Sequence, residues 1–196
     1  MTASDNSNLP WVTGEFDIAA LHRGAPRILN RAQFLDHVER ELQRAKKSIE
    51  PRFVVVFMDL DNYAAIVNEK GKKAGDLLIR ACVEPVGALL SPRDAIAILR
   101  SGTIAILLET ARLRGMAQDF AAEMAGEMKK AAGDCGLGNA TTSIGIVKVT
   151  GGYVAAEDIL RDADIALRFA QSKGPDHTEV FHRAMEEEEL HTSIAI

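Results

Sequence analysis

Two kinds of apolar pattern alternate along the chain, one with helical spacing and one without interruption. Residues 30–47 repeat apolar positions every three to four residues with charged residues between them, which predicts an amphipathic helix. Residues 53–58, with the sequence FVVVFM, are apolar throughout and mostly β-branched or aromatic. Such a run is typical of a central strand buried on both faces.

The remaining apolar segments extend this alternation of helices and strands. Further helices are predicted at residues 63–68, 74–90, 112–130 and 155–171, and further strands at 94–99, 103–109, 141–149 and 179–181. A short turn at 100–102 separates two of these strands, which predicts an antiparallel hairpin over 94–109. The element order predicts an α/β (α+β) fold, a mixed sheet with flanking helices as in ferredoxin-like and nucleotidyl-cyclase palm folds.

The distribution of these elements predicts one folded domain with two flanking segments. Residues 1–27 are interpreted as an N-terminal tail or linker, in which Trp11 and Phe16 are the large apolar anchors. Residues 28–183 form the predicted domain, which is a usual length for one hydrophobic core. Residues 184–196 contain a run of four glutamates and are interpreted as an acidic linker helix.

Charge and cysteine content exclude several classes of function. The 23 basic and 28 acidic residues give a net charge of −5 with no basic stripe, so a nucleic-acid partner is not expected. The cysteines, Cys82 and Cys135, are wrongly spaced for a zinc site and too few for a disulfide framework, which favours a reducing, cytoplasmic location. No apolar run approaches the roughly 18 residues of a membrane span, so membrane insertion is not expected.

Two carboxylates follow the buried strand at 53–58 and are the first candidate for site chemistry. Asp59 and Asp61 stand at its carboxyl end, where ligands gather in sheets of this kind. Magnesium prefers oxygen ligands and needs a further acidic partner from a neighbouring element, so Asp59 alone binds it weakly. The alternative is that both residues only cap and solvate the strand end.

The spacing around these carboxylates resembles that of the GGDEF (diguanylate cyclase) family. The first half of the family pattern, Asp-x-Asp-x-Phe followed by Gly-x-x-x-Gly-Asp, is similar to residues 59–63 with Gly71, Gly75 and Asp76. Further similar segments lie at Asn30-Arg31, at 141–145 and at 163–170, so that the resemblance covers residues 28–182. These segments occur in the order and at the separations of the family pattern, so together they support the resemblance more strongly than any one motif does.

The resemblance also implies which catalytic positions are altered. Enzymes of this family join two GTP molecules into cyclic di-GMP, using two metals held by the first-strand Asp and an acidic residue of the GGDEF turn. Here the turn reads RSGTI, and the acidic positions fall on Gly102 and Thr103, or on residues 104 and 105 in a register shifted by two. Neither register supplies a carboxylate. Asp59 with Leu60 is therefore interpreted as a vestigial metal position, and no catalytic residues are expected.

No nearby acid replaces the missing ligand. Glu109 lies about six residues along the strand, roughly 20 Å at ~3.3 Å per residue, too far to share a metal with Asp59. Loss of charge stabilisation at a transferring phosphoryl group typically costs several kcal/mol per missing element. No cofactor is expected, and magnesium is expected only if nucleotide binding is retained.

The nucleotide-binding positions implied by the resemblance are partly retained. The family's Ala-Lys-x-x-Gly-Arg-Asn phosphate segment appears as residues 170–176, AQSKGPD, in which both cations are replaced. The Asn that the family uses for guanine is Val67 here, with Asn68 beside it, whereas the matching Asp is kept as Asp76. Asp76 and Asn68 are therefore interpreted as vestigial nucleotide-binding residues. An apolar replacement at a base-recognition position weakens selective binding.

Two further segments carry regulatory implications. The family's inhibitory Arg-x-x-Asp motif appears as Ser91-Pro92-Arg93-Asp94, so Asp94 is interpreted as a remnant of the inhibitory site without its arginine. A cyclic dinucleotide is doubly anionic and is usually held by arginine, so this remnant does not predict binding. The segment from Phe181 resembles the join between GGDEF and EAL domains in tandem proteins.

Three hypotheses about function follow. The first is a catalytically inactive GGDEF-like regulatory domain that acts on a protein partner or an adjacent domain, such as an EAL domain, with weak GTP binding as a secondary option. The second is an active or divergent diguanylate cyclase. The third is a GTP sensor without turnover that acts through linkage. Self-association into a homodimer is left open.

Overall fold

The computed structural model describes residues 28–46, 49–100, 102–109, 117–134 and 140–186, with the side chain of residue 100 left out. The strands are β1 Ile28–Leu29, β2 Phe53–Leu60, β3 Ala95–Arg100, β4 Thr103–Glu109, β5 Thr142–Val149 and β6 Thr178–Val180. The helices within these residues are α1 Arg31–Ala45, α2 Tyr63–Lys70, α3 Lys72–Leu89, α4 Ala117–Asp134 and α5 Ala156–Ser172. Where the residues are described, predicted positions agree to within a few residues, except that the two-residue β1 was not predicted. The predicted start of a helix at residue 112 lies outside the described residues.

The strands form one six-stranded mixed sheet in the order β1-β3-β4-β2-β5-β6. β2 runs antiparallel to both β4 and β5, and the outer strands β1 and β6 pair parallel with β3 and β5. The predicted hairpin is confirmed as the antiparallel pair β3 and β4. The predicted mixed sheet with flanking helices is therefore confirmed.

Helices cover both faces of the sheet, which explains why residues 53–58 are apolar without interruption. Val54, Val56 and Met58 pack with α2, α3 and α4 on one face. Phe53, Val55 and Phe57 pack with α1 and α5 on the other. Every residue from 53 to 58 is buried, as expected for a central strand.

The Asn30-Arg31 segment has a structural role at the start of α1. The Asn30 side chain accepts a hydrogen bond from the Gln33 backbone N–H at 2.9 Å, and the Gln33 side chain accepts one from the Asn30 N–H at 3.0 Å. This reciprocal capping box satisfies two donors that a helix start otherwise leaves unpaired. It fixes where α1 begins on the sheet.

Among the described residues, no helix is both long enough and apolar enough to cross a membrane. The tail at 1–27, Cys135 and most of the predicted acidic linker helix lie outside the described residues. Residues 184–186 form a helical turn, so the domain boundaries and the linker helix stay predictions.

Candidate functional site

Asp59 stands near the end of β2, which has β4 on one side and β5 on the other. Its backbone lies opposite Thr103 of β4 and opposite Ser143 of β5. Its carboxylate accepts a hydrogen bond from the Thr103 hydroxyl at 3.2 Å on Oδ1. The Gln171 amide donates to Oδ2 at 2.9 Å. Both oxygens of Asp59 therefore have donors from the protein itself.

Those two donors occupy the positions where the resemblance implies charged groups. In one of the two registers that the resemblance allows, an acid of the GGDEF turn is implied at Thr103, and the lysine of the phosphate segment is implied at Gln171. The hairpin register brings Thr103 beside Asp59, and packing of α5 on the sheet brings the end of that helix to the same place. A hydroxyl and an amide satisfy a carboxylate without adding charge for a metal or a phosphate.

Gly102 closes the hairpin directly against this carboxylate. Its backbone has φ +91°, and a Cβ added there would lie 3.0 Å from Asp59 Oδ1 and 3.2 Å from Tyr63. A residue with a side chain is strained in this left-handed conformation, so glycine suits the position. An acid at residue 102 would therefore require the turn to change shape.

Asp61 holds the loop that follows α5. The Ser143 hydroxyl donates to its Oδ1 at 2.5 Å, and the Asp176 backbone N–H donates to its Oδ2 at 3.1 Å. Lys129 of α4 lies 3.4 Å from the Asp176 carboxylate. Residues 173–176 are thus fastened to the sheet end where the resemblance places a phosphate-binding segment. Both carboxylate oxygens of Asp61 are therefore used in contacts that hold this loop.

Lys173, the one cation left in this segment, is directed to other partners. Its ammonium group pairs with Glu179, whose Oε1 accepts a hydrogen bond at 2.5 Å. The same group lies 4.9 Å from the centroid of the Phe169 ring, a cation–π contact. The described partners of Lys173 are therefore Glu179 and Phe169 and not the Asp59 carboxylate.

The base-recognition positions lie on α2 and α3. Val67 packs so closely on Gly75 that a Cβ at Gly75 would come within 2.4 Å of Val67 Cγ2. Asn68 is exposed on the neighbouring position of α2. Asp76 is half-buried, and burial raises its pKa while the Lys72 charge opposes that rise. Val67 is used for packing between α2 and α3. Of the two positions at which the resemblance implies a guanine contact, Asp76 keeps a polar side chain.

Asp94 is a structural acceptor at the other end of the hairpin. It is only 5% exposed, and its Oδ2 accepts hydrogen bonds from the Ser91 N–H at 2.7 Å and the Ser91 hydroxyl at 2.8 Å. Its Oδ1 accepts the Glu109 N–H at 3.0 Å. The carboxylate therefore joins the turn before β3 to the end of β4.

Apart from Asp59, the positions at which the resemblance implies acidic metal ligands carry other residues in this chain. Thr103 and Gln171 are neutral, and Leu60 is buried with its N–H bonded to the Gly102 carbonyl at 3.2 Å. Glu109 lies opposite Phe53, six positions along β2 from Asp59, as the sequence argument requires. Across the described parts of the chain, no group of three or more His, Cys, Asp or Glu side chains is arranged to hold a metal ion.

A cavity adjoins Thr103 on the side of α5. Its volume is about 280 Å³, below the roughly 300–1,000 Å³ usual for small-molecule pockets. Apolar walls from Phe57, Leu99 and Leu160 meet charged groups from Arg31 and Asp164.

Sequence reasoning identified the altered positions but missed what their replacements do. It did not foresee that Thr103 and Gln171 both donate to Asp59. One signal for these contacts was available in the sequence: threonine and glutamine are both neutral side chains that can donate a hydrogen bond to a carboxylate. Met185 was also missed, because the glutamate run after it indicates a solvated helix, whereas Met185 is only 1% exposed.

Solved structures share this fold. The GGDEF domain of TpbB (also called YfiN) from Pseudomonas aeruginosa superposes with a TM-score of 0.69 at 21% identity, covering 84% of this chain and 96% of that one. The active GGEEF domain of a diguanylate cyclase from Vibrio cholerae gives 0.65 at 17% identity, covering 80% and 99%. At these identities the likeness shows the fold.

Curated relatives are longer proteins. MucR of Pseudomonas aeruginosa, a bifunctional diguanylate cyclase/cyclic di-GMP phosphodiesterase, is 27% identical over 158 residues, covering 79% of this chain and 22% of MucR. An uncharacterized protein of Mycobacterium tuberculosis is 26% identical over 176 residues, covering 89% and 27%. The chain thus spans about a quarter of these relatives.

The family assignment comes from the sequence match to a domain family. The family described as diguanylate cyclase, GGDEF domain, matches residues 23–177, which is most of the chain and nearly all of the described sheet. The chain belongs to the GGDEF domain family of cyclic di-GMP signalling.

Proposed function

We propose that this GGDEF domain is catalytically inactive and regulates signalling through protein contacts. One observation carries the proposal: the Asp59 carboxylate is held by two neutral donors, Thr103 and Gln171, at positions where the resemblance implies an acid and a lysine. Phosphoryl transfer depends on positioned cations that neutralise developing charge. These two donors supply neither a second carboxylate to hold a metal ion nor a cation to bind a phosphate.

The proposed partner is an adjacent domain, such as an EAL domain, or a separate protein. MucR is named for both cyclase and phosphodiesterase activities in one chain. The cyclase SiaD of Pseudomonas aeruginosa has been crystallised with its activator SiaC. By analogy, a GGDEF domain without chemistry of its own retains surfaces for such contacts. We place this role in the cytoplasm, where cyclic di-GMP signalling operates.

Turnover provides the direct test of inactivity. Purified protein incubated with GTP and magnesium is expected to form no cyclic di-GMP above the level without protein, because charge stabilisation worth several kcal/mol is missing. Chromatography of the nucleotides measures the product. Product that scales with protein concentration and disappears in Asp59→Asn would refute the proposal.

Restoring an acid beside Asp59 tests the same observation from the other direction. Thr103→Glu places two carboxylates side by side in a buried position, which raises their pKa values and is expected to destabilise the protein by about 2 kcal/mol. Magnesium at about ten times its dissociation constant for this variant should raise the free energy of unfolding by roughly 1.4 kcal/mol, which is measured as a higher melting temperature.

Two matched proteins control this experiment. Thr103→Gln has a similar size without the charge, and neither it nor the wild type should respond to magnesium. A magnesium-dependent melting temperature in the wild type would mean that Asp59 already holds the ion. The proposal would then fail.

A second candidate function is a GTP sensor without turnover. Asp76 favours it, because this side chain keeps a carboxyl group at an implied guanine contact and is only half-buried. Calorimetry with GTP, GDP and cyclic di-GMP tests it, with Asp76→Asn as the paired variant. Absence of heat with all three ligands removes the sensor hypothesis.

A further inference from the structure

The chain turns back onto α5 after its last strand. The Phe181 N–H donates to the Ile146 carbonyl at 2.7 Å, which continues the sheet by one bond. The Met185 N–H then donates to the His182 carbonyl at 2.9 Å, and the Glu186 N–H to the Arg183 carbonyl at 3.1 Å. These bonds form a compact turn. We name residues 181–186 the latch.

The latch buries a single large side chain against α5. Met185 packs on Ile165 and Ala166 of α5, with Phe169 and Phe181 beside them. This cluster is separate from the core between α5 and the sheet, so α5 has a second apolar face. A second apolar face on a helix has to be shielded from water by another part of the protein, and here the latch shields it.

One ion pair fastens the end of the latch. Arg161 of α5 lies 3.0 Å from Glu186 and also 3.0 Å from Asp162, which is buried. The Tyr153 hydroxyl donates to Asp162 at 2.8 Å, and burial raises the pKa of Tyr153, so the hydroxyl stays a donor. Arg161 is therefore held in place by Asp162 and presents its guanidinium to Glu186.

The latch is weakly held compared with the sheet. Met185 is its one fully buried side chain, and Phe181 and His182 add half-buried or exposed ring contacts to α5. The side chains of its ion pair are 55% and 36% exposed. Exposed pairs contribute little to stability. Segments with few buried contacts open locally without unfolding the protein, whereas central strands exchange only through global unfolding.

We propose that the latch is a conformational switch that opens locally and uncovers Ile165 and Ala166 on α5. Closed, the latch covers these two residues with Met185. Open, it exposes this second apolar face of α5. This device is independent of the proposed loss of catalysis.

Native-state hydrogen exchange in low denaturant tests the switch. In the wild type, the Met185 and Glu186 amides should be protected on the order of 10²-fold, with little dependence on denaturant. The Val56 amide of β2 should exchange far more slowly and with a steep dependence on denaturant. The switch is refuted if the latch amides share the slope of Val56, and also if they are unprotected.

Substitutions in the latch separate its effect from overall folding. Met185→Glu should abolish protection at residues 185 and 186 while Val56 stays protected. Ala184→Glu adds the same charge at an exposed neighbour and should leave protection within about twofold. Glu186→Gln keeps Met185 in place and should lower the protection of the latch amides severalfold at low salt. Unchanged protection in both Met185→Glu and Glu186→Gln would overturn the inference.

Discussion

Replacement of Gly145 by alanine is expected to lower the free energy of unfolding by at least about 3 kcal/mol. Gly145 lies in β5 where α5 crosses the sheet. An added Cβ would stand 2.3 Å from the Leu167 backbone N, 2.5 Å from the Ala163 carbonyl oxygen and 2.8 Å from the Leu167 Cα. These are backbone atoms, so the clash is relieved only by moving the helix away from the strand.

Such a movement would affect the candidate site as well as stability. Gln171 lies one turn beyond Leu167 on α5, and its amide reaches Asp59 only because the helix lies close on β5. The expected loss corresponds to a fall in melting temperature of roughly 6–12 °C for a chain of this size. Urea unfolding followed by circular dichroism measures the free energy.

Gly126 in α4 provides the matched control. A Cβ there meets no atom within 4 Å, and the residue is exposed inside a helix. Gly126→Ala should therefore stabilise the protein by up to about 1 kcal/mol, since alanine has the higher helix propensity. Equal effects of the two substitutions would show that α5 does not lie as close to β5 as described.

The fold was largely predictable because burial dictates its pattern. Residues 53–58 are apolar on both faces because β2 lies at the centre of a covered sheet, and their β-branched and aromatic side chains favour a strand over a buried helix. The hairpin was predictable from the short turn between two strands. β1 was not, since two residues carry no periodicity and their pairing with β3 is fixed by tertiary contact.

The candidate site was predictable by position but not by contact. Residues 59, 76, 94 and 103 were identified from spacing, yet spacing does not say which groups meet. Gln171 lies 112 positions from Asp59 in sequence, and only packing of α5 on the sheet brings its amide to that carboxylate. The burial of Met185 depends likewise on the second apolar face of α5.

Replacement of Asp94 by alanine is expected to destabilise the protein by about 3 kcal/mol. The substitution leaves three donors, the Ser91 N–H and hydroxyl and the Glu109 N–H, without the charged acceptor that they share. Hydrogen bonds to charged groups contribute roughly 1.5–3 kcal/mol, and water can replace only part of the loss at this buried position. Chemical denaturation measures the change.

This expectation decides how an inhibitory role for Asp94 has to be tested. If Asp94→Ala loosens the hairpin, weaker binding of cyclic di-GMP in that variant would report the altered structure and not a lost ligand contact. Arg93→Ala is the better probe, because its side chain is 79% exposed and its pair with Glu109 should contribute less than about 1 kcal/mol. A stable Asp94→Ala protein would contradict the structural role and return Asp94 to consideration as a ligand.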